Sequence, residues 1–130
     1  MGDAERKLEV KFLLLSPHKI GVKFFIESPP IGLGFLATAL RKLGHEVDLK
    51  DCIIEGWDNP MTLEYIQKVK PDVVGINVFS SALRSVNELL ALIRTLPESP
   101  LVILGGPHCS GVPEDVLLFF DKADYAFTLE

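Results

Sequence analysis

Cysteine is scarce in this sequence, with two residues, Cys52 and Cys109, in 130. Two thiols are too few for a disulfide framework or an iron–sulfur ligand set, and the simplest expectation is a pair of reduced thiols in a cytoplasmic protein. Positive charge is short as well. Lys and Arg number 13 against 18 Asp and Glu, a net charge of −5. That argues against nucleic acid as a partner, because phosphate binding needs clustered cations. No apolar run approaches the ~20 residues that span a bilayer, so no membrane partner is expected. The opening stretch MGDAERKLEV is too polar for a signal peptide. There is no internal repeat and no low-complexity tract. His18, His45 and His108 have no metal-ligand spacing, and no nucleophile–base constellation stands out. What is left is ordinary for a globular protein, 48% hydrophobic and 24% charged, with a length that fits one core and one domain over 1–130. The final Leu129-Glu130 follows directly on a strand-like run, which reads as a piece of a longer protein.

The chain alternates strands and helices. Lys7 to Ser16 reads as a strand whose run Phe12 to Leu15 is apolar throughout, as expected when both faces are covered. A loop from Ser16 to Pro30 follows. Ile31 to Gly44 reads as a helix with Leu33, Leu36, Ala37, Leu40 and Leu43 at helical spacing and Gly44 at its end. His45 to Ile53 is the second strand, Met61 to Lys70 a short helix, and Asp72 to Phe79 the third strand. Ser80 and Ser81 can cap the helix expected from Ala82 to Leu96. Pro100 to Leu104 is the fourth strand, Gly105 to His108 a tight loop, Pro113 to Phe120 a helix and Asp124 to Thr128 the fifth strand. Strict alternation predicts a Rossmann-like or flavodoxin-like three-layer α/β sandwich. Its five-stranded sheet is parallel, with the simplest order 2-1-3-4-5.

In such a sheet a ligand binds beyond the carboxyl ends of the strands, where the chain order reverses. The loops there are Ser16–Pro30, Phe79–Ala82 and Gly105–Gly111. The pair Gly105-Gly106 is the sharpest feature, since adjacent glycines allow positive φ and close approach of a ligand; it also serves as a tight strand-to-helix turn. Ser80 and Ser81 have two roles open to them, helix cap or crevice hydroxyl. Gly32-Leu-Gly-Phe-Leu-Ala37 has the spacing of a dinucleotide fingerprint, with Asp51 further on. No strand runs into Gly32, however, so close packing of the first helical turn is the expected role of Gly32 and Gly34. A phosphoacceptor receiver is excluded, because Ser16-Pro17, Phe79-Ser80 and Thr128 stand where its acidic residues and lysine would be. A self-contained domain binding a nucleotide or flavin remains open, as does an interaction module.

The stretch Pro29-Pro-Ile-Gly-Leu-Gly-Phe-Leu-Ala-x-x-Leu-Arg-x-x-Gly-His-Glu-Val47 resembles the cobalamin-binding domain that precedes many radical SAM domains. So do Lys70-Pro-Asp-Val-Val-Gly-Ile-Asn-Val-Phe-Ser80, Leu104-Gly-Gly-Pro-His108 and Ala123-Asp-Tyr-Ala-Phe127. The resemblance runs in order along nearly the whole chain. It implies a cobalamin lying over the strand-end loops with its nucleotide tail threaded into the domain. By that likeness the contacts are Pro17, His18, Ser80, Ser81, Leu83, Gly105, Gly106, Pro107 and His108, with Ser81 meeting the tail's base and the glycines leaving it room. Ser16-Pro-His-Lys-Ile-Gly21 is similar to the D-x-H-x-x-G element whose histidine ligates cobalt, which makes His18 the candidate axial ligand. Serine replaces the aspartate that would orient the imidazole, and radical SAM relatives commonly lack this ligand. The resemblance further implies a C-terminal radical SAM domain as partner. That domain would carry a Cx3Cx2C set for a 4Fe-4S cluster and S-adenosylmethionine, and the chemistry would lie there rather than in this chain.

Overall fold

The computed structural model describes residues 9–19, 31–111 and 114–127. Strand β1 (Lys11–Ser16) carries Leu13, Leu14 and Leu15, all buried. Helix α1 (Ile31–Lys42) crosses over to β2 (Glu46–Asp51). A short helix α2 (Cys52–Glu55) and then α3 (Asn59–Val69) lead to β3 (Val73–Asn77). A 3₁₀ turn over Ser80–Ala82 enters α4 (Leu83–Ile93), followed by β4 (Leu101–Gly105). Two short helices, α5 (Pro107–Gly111) and α6 (Val116–Phe119), precede β5 (Tyr125–Ala126). All pairings are parallel and the order is β2-β1-β3-β4-β5. The fold and strand order are those the alternation predicts.

Alternation along the strands divides the core. Leu13, Leu15, Val74, Ile76, Val102 and Leu104 join Ile66 of α3 and Val86, Leu89, Leu90 and Ile93 of α4 on one face. Fully burying one such side chain is worth about 1.5–3 kcal/mol, so this layer dominates the stability. Leu14 and Val47, with Phe12 and Leu49, meet Leu33, Ala37 and Leu40 of α1 on the other face. There the cover is partial. On β4 and β5, Leu101, Tyr125 and Phe127 are exposed.

Three local expectations are corrected. The second strand stops at Asp51 rather than Ile53, because the Asp51 carboxylate accepts from the N–H groups of Ile53 at 3.0 Å and Ile54 at 3.5 Å and starts a new helix. Ser80 and Ser81 do not cap the next helix. They lie within the 3₁₀ turn, whose N-cap is Phe79, while α4 starts after Ala82, and neither end carries a side-chain cap. The stretch from Gly105 is not a plain loop. Gly105 closes β4, Gly106 turns the chain, and Pro107 opens α5, a position where its missing N–H is harmless.

The short β5 is held by a charged clamp. Asp124 Oδ2 accepts from the Val102 N–H and from Arg94 Nη2, both at 2.7 Å, and the same guanidinium donates to Lys122 O, Ser99 Oγ and Pro100 O. Burial opposes ionisation of Asp124, but the Val102 N–H and the Arg94 hydrogen bond and charge outweigh it, and the carboxyl titrates below its ordinary value. A carboxyl with a depressed folded-state pKa contributes stability that is present above the unfolded value, about 3.9, and is lost as pH falls through the folded value. Asp124→Asn is therefore expected to lower stability at pH 7 and to flatten its fall in acid, read from denaturant unfolding between neutral and strongly acidic pH.

Candidate functional site

The carboxyl ends of β1, β3 and β4 meet at the point where the chain order reverses, between β1 and β3. The register aligns one residue from each strand there. Ser16 pairs with Asp51 and Asn77 pairs with Gly105. Ser16 and Asn77 lie one step beyond the Leu15–Ile76 pair, and Phe127 one step beyond Ala126, the partner of Leu104. Asp51, Ser16, Asn77, Gly105 and Phe127 therefore form one rung across the whole sheet. By alternation they all share the α1 face. The preceding rung on the same face, two residues back, is Leu49, Leu14, Gly75, Ile103 and Tyr125; it carries no charged group, so the change to carboxylate, hydroxyl and carboxamide on this face is abrupt.

The two glycines at the end of β4 differ. A Cβ on Gly105 would meet nothing within 4 Å among the described residues, which leave the α1 face open at its position. Gly106 has φ +99°. A Cβ there would run into the Asn77 carboxamide and lie 2.9 Å from Val78 N and 3.0 Å from Val78 O. Close approach of two chain segments, β3 and the β4–α5 turn, is thus what Gly106 permits, and the Val78 N–H donates to Gly105 O at 2.8 Å to seal it. Asn77 is half-buried beside the open Gly105 position, and its side chain makes no hydrogen bond to the described residues.

At the end of β1, Pro17 is buried and His18 and Lys19 are half-buried. The Lys19 ammonium stands 5.4 Å from the centre of the Phe79 ring and ties the first loop to the third. Cys52 lies beneath, fully buried. Burial pushes its thiol up; the Thr62 hydroxyl at 3.5 Å pulls the other way, the Asp51 charge adds to the rise, and the His18 backbone N–H opposes it. Cys109 is also fully buried and raised by burial. A thiol kept protonated and out of solvent is a packing group, not a nucleophile. Among the described residues no cluster of His, Cys, Asp or Glu could hold a metal ion, and no helix is long and apolar enough to cross a membrane.

The structure distributes the expected contacts unevenly. Pro17, His18, Gly105, Gly106 and the exposed Pro107 lie at the carboxyl edge. Ser80 and Ser81 are exposed on the 3₁₀ turn at the same edge. Leu83 is half-buried, with its side chain packed against the core under α3 and α4. The His108 side chain and the loop over 20–30 lie outside the described residues. A Cβ on Gly32 or Gly34, in the first turn of α1, would find nothing within 4 Å among the described residues, so none of those residues packs closely on them. Asn77 was not anticipated. Its signal was available, a polar residue closing an otherwise apolar strand.

A family model described as "B12 binding domain" matches residues 17–129. The chain is 31% identical over 104 residues to an uncharacterized methyltransferase of Pyrococcus horikoshii, covering 78% of this chain and 22% of that protein. It is 29% identical over 139 residues to cytidylyl-2-hydroxyethylphosphonate methyltransferase of Streptomyces wedmorensis, covering 90% and 26%. The chain thus spans about a quarter of these relatives' length. Among solved structures, the cobalamin-dependent S-adenosylmethionine radical enzyme OxsB, with aqua-cobalamin and S-adenosylmethionine bound, superposes with a TM-score of 0.75 at 23% identity, over 91% of this chain and 17% of that one.

Proposed function

The chain belongs to the B12-binding domain family, and from that premise we propose that it is the cobalamin-holding module of a larger radical SAM protein. The observation that carries this reading is the open side-chain position at Gly105 beside Asn77, whose side chain has no hydrogen-bond partner among the described residues, at the switch point of the sheet. Sheets of this kind take their ligands there. The residues fit the group. A flat, weakly polar ring needs a slot free of side chains and a carboxamide that can donate or accept, and Gly105 and Asn77 supply both. By the resemblance, Pro17, His18, Ser80, Ser81, Gly106, Pro107 and His108 would line that slot, with Leu83 behind it.

Cobalamin, when bound, supplies a cobalt centre able to carry a methyl group. The chain's own part is to hold and orient. Gly105 would leave the tail room, Asn77 would hold it by hydrogen bonding, and the strand-end loops would keep the corrin on the crevice. On this reading the reaction falls to the rest of the protein, and both cysteines of this chain are buried. Both methyltransferase relatives are about four times the length of the matched region, which favours a fused catalytic domain holding a 4Fe-4S cluster and S-adenosylmethionine. A Cx3Cx2C motif downstream in the parent gene is the test of that part.

The test of the binding role is titration of the purified chain with hydroxocobalamin, following the corrin absorbance. The expected result is a saturable spectral change; none at high micromolar cobalamin overturns the reading. The same spectrum reports axial ligation. Ser16 is not a carboxylate and cannot raise the basicity of His18 as an aspartate would, so His18→Ala is expected to leave the bound spectrum unchanged. A shift on that substitution would establish His18 as the cobalt ligand.

A further inference from the structure

Asp51 does more than cap α2. Its side chain is 93% buried, being 7% exposed, and one oxygen, Oδ1, accepts the two N–H groups of the cap. The other oxygen, Oδ2, is buried and has no hydrogen-bond partner among the described residues. A carboxylate oxygen can only accept, and leaving one unmet inside a protein is costly. The cap itself does not require it. Serine caps a helix about as well as aspartate and has no second oxygen. Something beyond local folding therefore accounts for an acid here.

The sheet register gives the direction. Asp51 sits on the same rung and the same face as Ser16, Asn77 and the open Gly105 position. From Asp51 to Gly105 is three strand spacings, roughly 14 Å at about 4.8 Å each, the reach of a nucleotide laid across the sheet. We propose that Asp51 Oδ2 accepts a hydrogen bond from a ribose hydroxyl of the cofactor's nucleotide tail, with the base toward Gly105 and Asn77. This rests on the cobalamin reading and extends it from the strand-end loops to the far side of the sheet. Corrin amides are also donors, and cobinamide, which keeps them and lacks the nucleotide, separates the two.

The experiment compares cobalamin with cobinamide, which keeps the corrin and lacks the nucleotide. Asp51→Ser retains the cap and removes Oδ2; Asp51→Asn retains the shape and removes the charge. Expected for the serine variant is about tenfold weaker cobalamin binding, the loss of one hydrogen bond to a charged group, with cobinamide binding unchanged. The asparagine variant should fall between wild type and serine. The melting temperature of the ligand-free serine variant should equal or exceed that of wild type, since an unmet buried acceptor is gone. Equal losses for both ligands, or no loss for either, overturn the assignment. A lower ligand-free melting temperature with unchanged affinities would make Asp51 a cap only. Failure of the wild-type chain to bind either corrinoid strikes the cobalamin reading itself, and this assignment with it.

Discussion

Gly105→Val is expected to weaken cobalamin binding severely while leaving the fold at least as stable as wild type. Gly105 closes β4 in ordinary backbone conformation, and a Cβ there touches nothing within 4 Å. A β-branched residue suits a strand, and replacing glycine removes a backbone-entropy cost of roughly 0.5–1 kcal/mol. Without ligand, the melting temperature should hold or rise by a few degrees. With ligand, the isopropyl group would occupy the slot proposed for the tail. The rung beneath gives it no way out, because Ile103 precedes it on the same strand face and Asn77 stands beside it. Overpacking of this kind costs about 1–3 kcal/mol or more, so affinity should fall by on the order of a hundredfold. Hydroxocobalamin titration beside thermal unfolding separates the two effects, and Gly105→Ala should give a smaller loss. Wild-type affinity in the valine variant would mean that the tail does not pass β4.

The architecture was readable because it depends on local signals that repeat. Continuous apolar runs such as Phe12 to Leu15 mark strands buried on both faces, and the spacing of Leu33, Ala37 and Leu40 marks the helix that covers them. Strict alternation with right-handed crossovers then leaves few sheet orders to consider. The glycine pair was readable as a tight strand-to-helix turn or a candidate ligand position. The roles of its two members were not. Only the packing shows that the Gly106 position is filled by Asn77 and Val78 while the Gly105 position is open.

The rung was illegible for a different reason. Its members stand at positions 16, 51, 77, 105 and 127, and nothing in a linear sequence aligns them. A shift of one residue in any strand would send its member to the opposite face. Asp51 shows the same limit. Read linearly, it is a strand residue at a suggestive distance from Gly32-x-Gly34. In the fold it ends the strand by capping a helix, and that cap uses one oxygen and leaves the other buried and unmet. The serines misled in the opposite direction. Ser80 and Ser81 have the composition of a cap, yet the chain tightens into a 3₁₀ turn first, and the positions that face a cap's donors fall to Phe79 and Ala82.

Gly106→Ala is expected to be the most damaging single methyl addition near the site, costing about 3 kcal/mol. At φ +99° an L residue is strained by roughly 1–2 kcal/mol before any contact is counted. The new methyl then lies 2.9 Å from Val78 N and 3.0 Å from Val78 O, both backbone atoms. They cannot yield, because the Val78 side chain is fully buried and its N–H donates to Gly105 O at 2.8 Å. Only the Asn77 carboxamide can swing away. A loss near 3 kcal/mol is a large part of the ~5–15 kcal/mol that holds a domain together, and should lower the melting temperature by on the order of 10 °C. Denaturant unfolding gives the free energy directly. The double variant Asn77→Ala/Gly106→Ala should recover less than half of it, since the strained φ and the Val78 contacts remain. Full recovery would place the conflict at Asn77 alone. Because the displaced carboxamide belongs to the proposed slot, Gly106→Ala should weaken cobalamin binding as well as folding, whereas Gly105→Val weakens binding only. That difference between adjacent glycines follows from one being closed over by β3 and the other left open on the α1 face.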